Sequence, residues 1–308
     1  MAKRHLNLDE IHSDLKKILY LEASRIAALR WDEKASEFLG VLDEIDPDKL
    51  LGSEIEPKVL ALVDLSKFHI AEALDLAYSA QFEKPDEWLL TAVESETLQA
   101  FLSTMPSSDL SGTAPIWLTE EGACIRMARA GVALGKIQAM LYGNVGIQGG
   151  VFDVFHLFSV RDMAALANMS EGSIRNALVS KKGDRLDKME MPGGQVLIDP
   201  VEACRWLSER RGYRAHGGSI RGKDYFPEYV RYDPNKALRW LSLSTYWHSG
   251  SVERTAAKLG WSKDQVVDLL GGNFPLDEAE VRKFATVTFI DPDDLVKGAK
   301  ILHHDFGG

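Results

Sequence analysis

Residues 163–178, MAALANMSEGSIRNAL, decide how the second half of the chain folds, because residues 255–270, TAAKLGWSKDQVVDLL, repeat their pattern at a constant offset of 92 positions. In both stretches the first helix carries an alanine, Ala164 or Ala256, which lets a second helix approach closely. A residue that tolerates left-handed backbone follows, then a serine that can cap the second helix, and then an apolar residue that can pack against the first helix. Each stretch therefore predicts two short helices that are joined by a tight turn and cross closely at a steep angle.

The turn and cap positions can be assigned in both copies of this pattern. Asn168 and Gly260 occupy the turns, and Ser170 and Ser262 precede the second helices. Gln265 follows Ser262 by three residues, which is the spacing of a capping box. Both copies are therefore predicted to be helix-turn-helix motifs.

The flanks of the first copy add a hairpin and a third helix. The turn Pro192-Gly193-Gly194 separates two short apolar-polar runs and predicts a β-hairpin, and Asp199-Pro200 then caps and opens a helix. This order, over about residues 157–212, resembles the winged helix-turn-helix of excisionase and MerR-like DNA-binding proteins. The resemblance implies that the helix at 171–178 enters the major groove and that the hairpin is the wing.

The second copy lies within a series of five predicted helices. Asp233-Pro234 opens the first helix, the pair at 252–270 follows, and the segments 276–284 and 291–295 complete the series. The layout over about residues 234–302 is similar to the Cro/repressor-type (Xre-like) helix-turn-helix. Its second helix carries two acids against one lysine, so we expect it to contact either DNA or protein. The residues expected to make this contact are Ser262, Lys263 and Gln265.

The first half of the chain predicts an acidic helical domain. Apolar residues at helical spacing predict long helices at about 9–30, capped by Asp9, and at 57–80, with further helical runs up to Met140. No group of residues in this half forms a recognisable chemical arrangement. We therefore expect residues 1–152 to serve self-association or partner binding, and the protein to be a homodimer through this domain.

Charge is distributed unevenly along the chain. The net charge of −10 arises from −11 over residues 1–160, +4 over 161–240 and −3 over 241–308. A cationic segment between acidic ones indicates a module that meets an anion. The predicted domains are an acidic helical domain at 1–152, a winged helix-turn-helix domain at 153–213, a basic glycine-containing linker or arm at 214–233, and an Xre-like domain at 234–308.

Ten polar and basic residues of the cationic segment are candidates for DNA contact. Arginine pairs with guanine and asparagine with adenine in the major groove, while lysine and arginine beside the hairpin and after it suit phosphates. The candidates are Ser170, Ser173, Arg175, Asn176, Lys181, Lys182, Arg185, Arg210, Arg211 and Arg214. The alternatives are a solvated helix face, an ordinary charged hairpin and a flexible linker.

The sequence thus predicts a mainly α protein: a helical N-terminal domain, a winged helix-turn-helix with a small β-hairpin, and a C-terminal five-helix helix-turn-helix domain. We expect it to bind double-stranded DNA sequence-specifically, as a transcriptional regulator of bacterial or phage type. The alternative is a protein-interaction scaffold or antitoxin-like adaptor that uses these folds without reading DNA.

An enzyme is not expected, because the sequence shows neither a nucleophile elbow nor a Cys/His dyad, and its histidines lack metal-ligand spacing. No metal or cofactor is expected either. Since no apolar run suits a membrane span and no signal-peptide pattern follows Met1, we expect a cytoplasmic, nucleoid-associated protein without a membrane partner.

Overall fold

The computed structural model shows a chain that is predominantly helical, with one small antiparallel sheet. It folds as two compact units, the first comprising residues 1–81 and 90–134 and the second comprising residues 82–89 and 135–308. The structure describes residues 6–30, 34–39, 55, 57–83, 90–108, 112–142, 157–180, 185–210, 214–216, 225–275 and 277–306. The domain boundary predicted between residues 152 and 153 lies outside the described residues.

The first unit is built from helices that bury one face each. Helix α1 packs against α2, α3 and α4, and α4 packs against α5. The helices are α1 (Leu8–Arg30), α2 (Lys34–Leu39), α3 (Pro57–Leu62), α4 (His69–Tyr78), α5 (Ala92–Thr104) and, up to residue 134, α6 (Ala123–Tyr142). Ile11, Leu15, Leu74 and Leu98 are fully buried in its core.

The continuous helix predicted over residues 57–80 is wrong, because Asp64 interrupts it. The Asp64 carboxylate accepts hydrogen bonds from the backbone amide of Ser66 at 3.1 Å and from its hydroxyl at 2.7 Å. These bonds cap a 3₁₀ turn at Leu65–Lys67, after which Phe68 is extended and α4 begins. At the start of α1 it is Asn7, not Asp9, whose side chain accepts a hydrogen bond, at 2.9 Å from the Asp9 amide.

The second unit contains the sheet and the remaining helices. The sheet has the order β1-β3-β2, with both pairs antiparallel and Phe158 opposite Ile198. After the end of α6 its elements are β1 (Phe158–Ser159), α7 (Val160–Leu166), α8 (Glu171–Val179), β2 (Met189–Glu190), β3 (Val196–Ile198), α9 (Pro200–Ser208), α10 (Tyr225–Tyr232), α11 (Pro234–His248), α12 (Val252–Leu259), α13 (Lys263–Leu270), α14 (Glu278–Val287) and α15 (Pro292–Phe306).

Helix α10 lies inside the segment predicted as a linker or arm at 214–233. Its residues Phe226, Tyr229 and Val230 are buried, and the helix packs against α11 and α15. Pro227 falls in the first turn of α10, where a missing backbone N–H costs little. The C-terminal part of the predicted linker is therefore part of the core of the second unit.

Two histidines serve as buried polar residues of the second unit. His248 Nδ1 bonds the carbonyl of His216 at 2.5 Å, and His248 Nε2 lies 3.2 Å from the Tyr142 hydroxyl. Burial lowers the pKa of His248 to about 4, so its imidazole is neutral at pH 7. The His216 ring stacks on Trp247 with 3.7 Å between ring centroids. Both imidazoles therefore belong to the core.

None of the helices in the described part of the chain combines the length and the apolar character needed to cross a membrane.

Candidate nucleic-acid interface

A tight turn at residues 167–170 joins α7 to α8. Asn168 has left-handed backbone with φ +50°, and the Met169 amide donates to the Ala164 carbonyl at 2.9 Å. The Ser170 hydroxyl then accepts a hydrogen bond from the Ser173 amide at 3.2 Å and caps α8. The predicted turn and cap residues are confirmed.

Helix α8 has one buried face and one exposed face. Ile174 and Leu178 are buried, and α8 packs against α7 through this face. Arg175, Asn176 and Val179 are exposed, Val179 by 71%. The residues predicted to read bases therefore lie on the accessible side of a helix whose start is fixed by its cap.

The two serines at the start of α8 are hydrogen-bonded to each other. The hydroxyls of Ser170 and Ser173 lie 2.9 Å apart, in addition to the capping bond. Both residues therefore hold the helix terminus, and the exposed polar side chains that follow on α8 are those of Arg175 and Asn176.

An exposed ion cluster surrounds Glu171 at the start of α8. The Glu171 carboxylate lies 3.2 Å from Arg175 Nη2 and 3.2 Å from Arg161 Nε, and the two arginine side chains are 64% and 54% exposed. Exposed pairs of this kind contribute about 0–1 kcal/mol each. The arginines can therefore exchange this carboxylate for another anion at little cost.

The hairpin at residues 189–198 is anchored through its inner strand. Strand β3 pairs on one side with β2 and on the other side with β1, which runs directly into α7. Ser159 ends β1 and caps α7, because its hydroxyl accepts from the Asp162 amide at 3.1 Å. Strand β1 was not predicted, since two residues are too few to show a period of two.

The hairpin projects its tip into solvent. Gly193 and Gly194 have φ of +93° and +78° in the predicted turn, and Met189 on β2 is 45% exposed. The Leu186 amide donates to the Ala177 carbonyl at 3.2 Å, which places Arg185 beside the C-terminal turn of α8. The structure thus brings Arg185 together with the candidates on α8.

The described basic residues of the hairpin have acidic neighbours. Arg185 pairs with Asp187 at 3.1 Å, and Lys188 pairs with Glu190 at 2.5 Å. The hydrogen bond from Lys188 lowers the pKa of the Glu190 carboxyl. Lys181, Lys182 and Arg211, which are also candidates for phosphate contact, lie outside the described residues.

Arg210 and Arg214 are held by contacts within the protein. The Arg210 guanidinium stacks over the Trp206 ring at 3.7 Å from the centroid, at the end of α9. Arg214 donates to the Phe82 carbonyl at 3.0 Å. Neither contact could be anticipated from sequence, because each partner is recognised only in the folded chain.

The second copy of the helix pair, α12 and α13, has the same kind of turn and helix cap but a different exposed surface. Gly260 is left-handed with φ +73°, and Ser262 and Gln265 form the predicted capping box with bonds of 2.8 and 3.2 Å. Lys263 pairs with Glu253 at 2.5 Å. The other exposed residues of α13 include Asp264, Val267 and Asp268, so this face is acidic and apolar.

Within the described ranges no three His, Cys, Asp or Glu side chains are grouped so that they could hold a metal ion. Cys124 and Cys204 are buried as free thiols, and burial raises the pKa of both. Neither thiol is therefore poised as a nucleophile.

Comparison with known protein families, curated proteins and solved structures found no significant match for this chain.

Proposed function

We propose that the protein binds double-stranded DNA sequence-specifically through a winged helix-turn-helix formed by residues 157–210. The observation that carries this proposal is the exposed pair Arg175 and Asn176 on a capped helix, followed in the chain by a hairpin that shares its sheet with the strand preceding the helix pair. A helix presented in this way fits the major groove, and a projecting hairpin can follow the neighbouring backbone.

In this complex Arg175 pairs with guanine and Asn176 with adenine. Arg161, Arg185 and Lys188 lie on or beside the same elements and contact phosphates together with Lys181, Lys182 and Arg211. Arg210 and Arg214 add positive charge from their sites on Trp206 and on the Phe82 carbonyl. The role that follows is a cytoplasmic, nucleoid-associated transcriptional regulator of bacterial or phage type.

Selection from a library of random DNA duplexes tests sequence-specific binding directly. Duplexes retained by the full chain at moderate salt are expected to share a sequence motif, and affinity is expected to fall steeply as salt rises. Retained duplexes without a shared motif, or no retained duplexes, would contradict the proposal.

Neutralising Glu171 is expected to strengthen DNA binding. The Glu171→Gln variant removes a negative charge from the surface that meets phosphates and releases Arg161 and Arg175 from their ion pairs. We expect an affinity gain of about fivefold at low salt that shrinks as screening increases. Fluorescence anisotropy titrations over a range of salt concentrations measure it.

Glu228→Gln is the matched control for this substitution, because it makes the same change on the exposed surface of α10. It should leave DNA affinity unchanged. A weaker complex for Glu171→Gln would show that the carboxylate positions Arg175 rather than competing with DNA.

A homodimer through residues 1–152 completes the proposal, because two reading heads bind two half-sites. Leu62 and Val93 in the first unit are 51% and 69% exposed. Light scattering of the full chain is expected to give twice 34.2 kDa, and Leu62→Glu with Val93→Glu should return the mass to 34.2 kDa. Val179→Glu is the control, because Val179 on α8 is as exposed as Val93, and this variant should remain dimeric. If the unmodified chain is monomeric, the proposed dimer is wrong.

The exposed face of α13 favours a second function for that copy. Asp264 and Asp268 repel phosphates, while Val267, 49% exposed, gives an apolar centre between them. These residues suit a basic protein surface better than DNA. If the library experiment retains no duplex, this face makes the protein-interaction scaffold or antitoxin-like adaptor the better account.

A further inference from the structure

A groove of about 440 Å³ lies on the first unit, between the beginning of α1 and the segment that leads into α6. This volume is within the range of about 300–1,000 Å³ that is typical of small-molecule sites. The groove is lined from α1 by residues that include Asp9, Glu10 and Asp14, and from the other side by residues that include Ile116, Trp117 and Glu121.

The lining of the groove is acidic. The lining includes four carboxylates, those of Asp9, Glu10, Asp14 and Glu121, and two basic side chains, those of Lys17 and Arg126. Asp14 and Lys17 form an ion pair at 3.1 Å, which cancels one charge of each sign. With four acidic and two basic side chains, the lining carries a net negative charge, so the groove attracts cations.

The beginning of α6 does not turn the groove into an anion site. Asp14 Oδ2 accepts a hydrogen bond from the Ala123 amide at 2.9 Å, so a carboxylate of the protein already occupies the helix N-terminus. An added anion would meet this carboxylate together with the acids of the rim.

Part of one wall of the groove, at Ile116 and Trp117, is apolar and accessible. Ile116 is 62% exposed, and the neighbouring Trp117 is half-buried on the 3₁₀ turn Ile116–Leu118. An indole ring attracts a cation through its face and offers apolar area to the body that carries the cation. Carboxylates beside it accept charge-assisted hydrogen bonds from an ammonium group.

We propose that this groove is a binding site for a small organic cation, an ammonium group attached to an aryl or alkyl body. The ammonium group binds near Asp9 and Glu121, and the apolar body rests on Trp117 and Ile116. The proposal is independent of DNA binding, because the groove is formed by residues of the first unit alone.

Three probes of similar shape separate charge from apolar contact. Isothermal titration calorimetry measures the affinity of the full chain for 2-phenylethylammonium, 2-phenylethanol and 3-phenylpropanoate. We expect the ammonium probe to bind about tenfold more tightly than the alcohol, and the carboxylate probe to show no binding. Equal binding of ammonium and alcohol, tighter binding of the carboxylate, or no binding of the ammonium probe overturns the proposal.

Substitutions locate the probe in the groove. Glu121→Gln and Asp9→Asn should each weaken the ammonium complex about threefold or more and leave the alcohol unchanged. Trp117→Leu should weaken both complexes, since it removes the aromatic face. Glu96→Gln, which neutralises an exposed acid on α5, is the matched control and should change neither.

The carboxylate substitutions decide the outcome even if Trp117→Leu impairs folding, because Asp9 and Glu121 are exposed. If Glu121→Gln and Asp9→Asn bind the ammonium probe as the control does, the cation lies elsewhere and the groove is not its site.

Discussion

The double variant Arg175→Ala, Asn176→Ala is expected to lose about 2–6 kcal/mol of binding free energy at the preferred DNA site, because each good bidentate base contact contributes about 1–3 kcal/mol. Both side chains are exposed on α8, and neither forms part of its capping bonds. Alanine is also a better helix former than either residue, so the helix should remain intact. Anisotropy titrations with the selected duplex and a scrambled duplex measure the loss.

The scrambled duplex distinguishes base reading from general electrostatics. The double variant should approach the same affinity for both duplexes, since in the proposed complex the hairpin and the remaining basic residues supply the phosphate contacts, which do not depend on base sequence. Arg231→Ala, which removes an exposed arginine from α10, is the control and should keep the preference for the selected site. Unchanged affinity of the double variant for the selected duplex would remove α8 from the readout.

Local signals in the sequence predicted the turn and cap residues of both helix pairs well. Asn168 and Gly260 are left-handed, and the capping serines bond the amides three residues on. Asp199 accepts from the Val201 amide at 2.9 Å and opens α9 as expected. Each of these features depends on residues within one turn of chain, so residue type and spacing carry the information.

Features that depend on distant partners were not predictable in the same way. Strand β1 exists because Phe158 and Ser159 pair with β3, about forty residues later. Within the predicted helix 57–80, the bonds from Ser66 to Asp64 outweighed a good apolar periodicity. Intrinsic helix propensity predicts secondary structure poorly wherever such contacts determine it.

The candidate site also combines features that neighbouring residues determine with features that depend on distant partners. Residue type made Arg175 and Asn176 candidates for base contact, and the structure places both on the exposed face of α8. The pairing of Glu171 with two arginines, and the stacking of Arg210 on Trp206, depend on side-chain placement that periodicity does not encode. The acidic groove on the first unit was not predicted, because its two walls are about a hundred residues apart in sequence.

Phe226→Ala is expected to lower the free energy of unfolding by about 3–5 kcal/mol, the usual cost of removing a fully buried aromatic ring. Phe226 is 1% exposed and lies near two further rings, with centroids 6.1 Å from Trp240 and 6.4 Å from Phe274. Tyr232→Ala on the same helix is the control: Tyr232 is 56% exposed. Removing the Tyr232 side chain should change the free energy of unfolding by less than about 0.5 kcal/mol. Urea unfolding followed by tryptophan fluorescence measures both.

Gly298 on α15 turns this prediction into a test of the packing between α10 and α15. A Cβ atom at Gly298 would lie 2.3 Å from Cδ1 of Phe226, so Gly298→Ala alone should destabilise the protein by about 1–3 kcal/mol. With Phe226→Ala already present the clash is gone, and the same substitution should stabilise by up to about 1 kcal/mol, because alanine favours the helix. This reversal of sign requires α10 to lie against α15. If Gly298→Ala has the same effect in both backgrounds, the segment at 225–232 behaves as the linker that the sequence predicted.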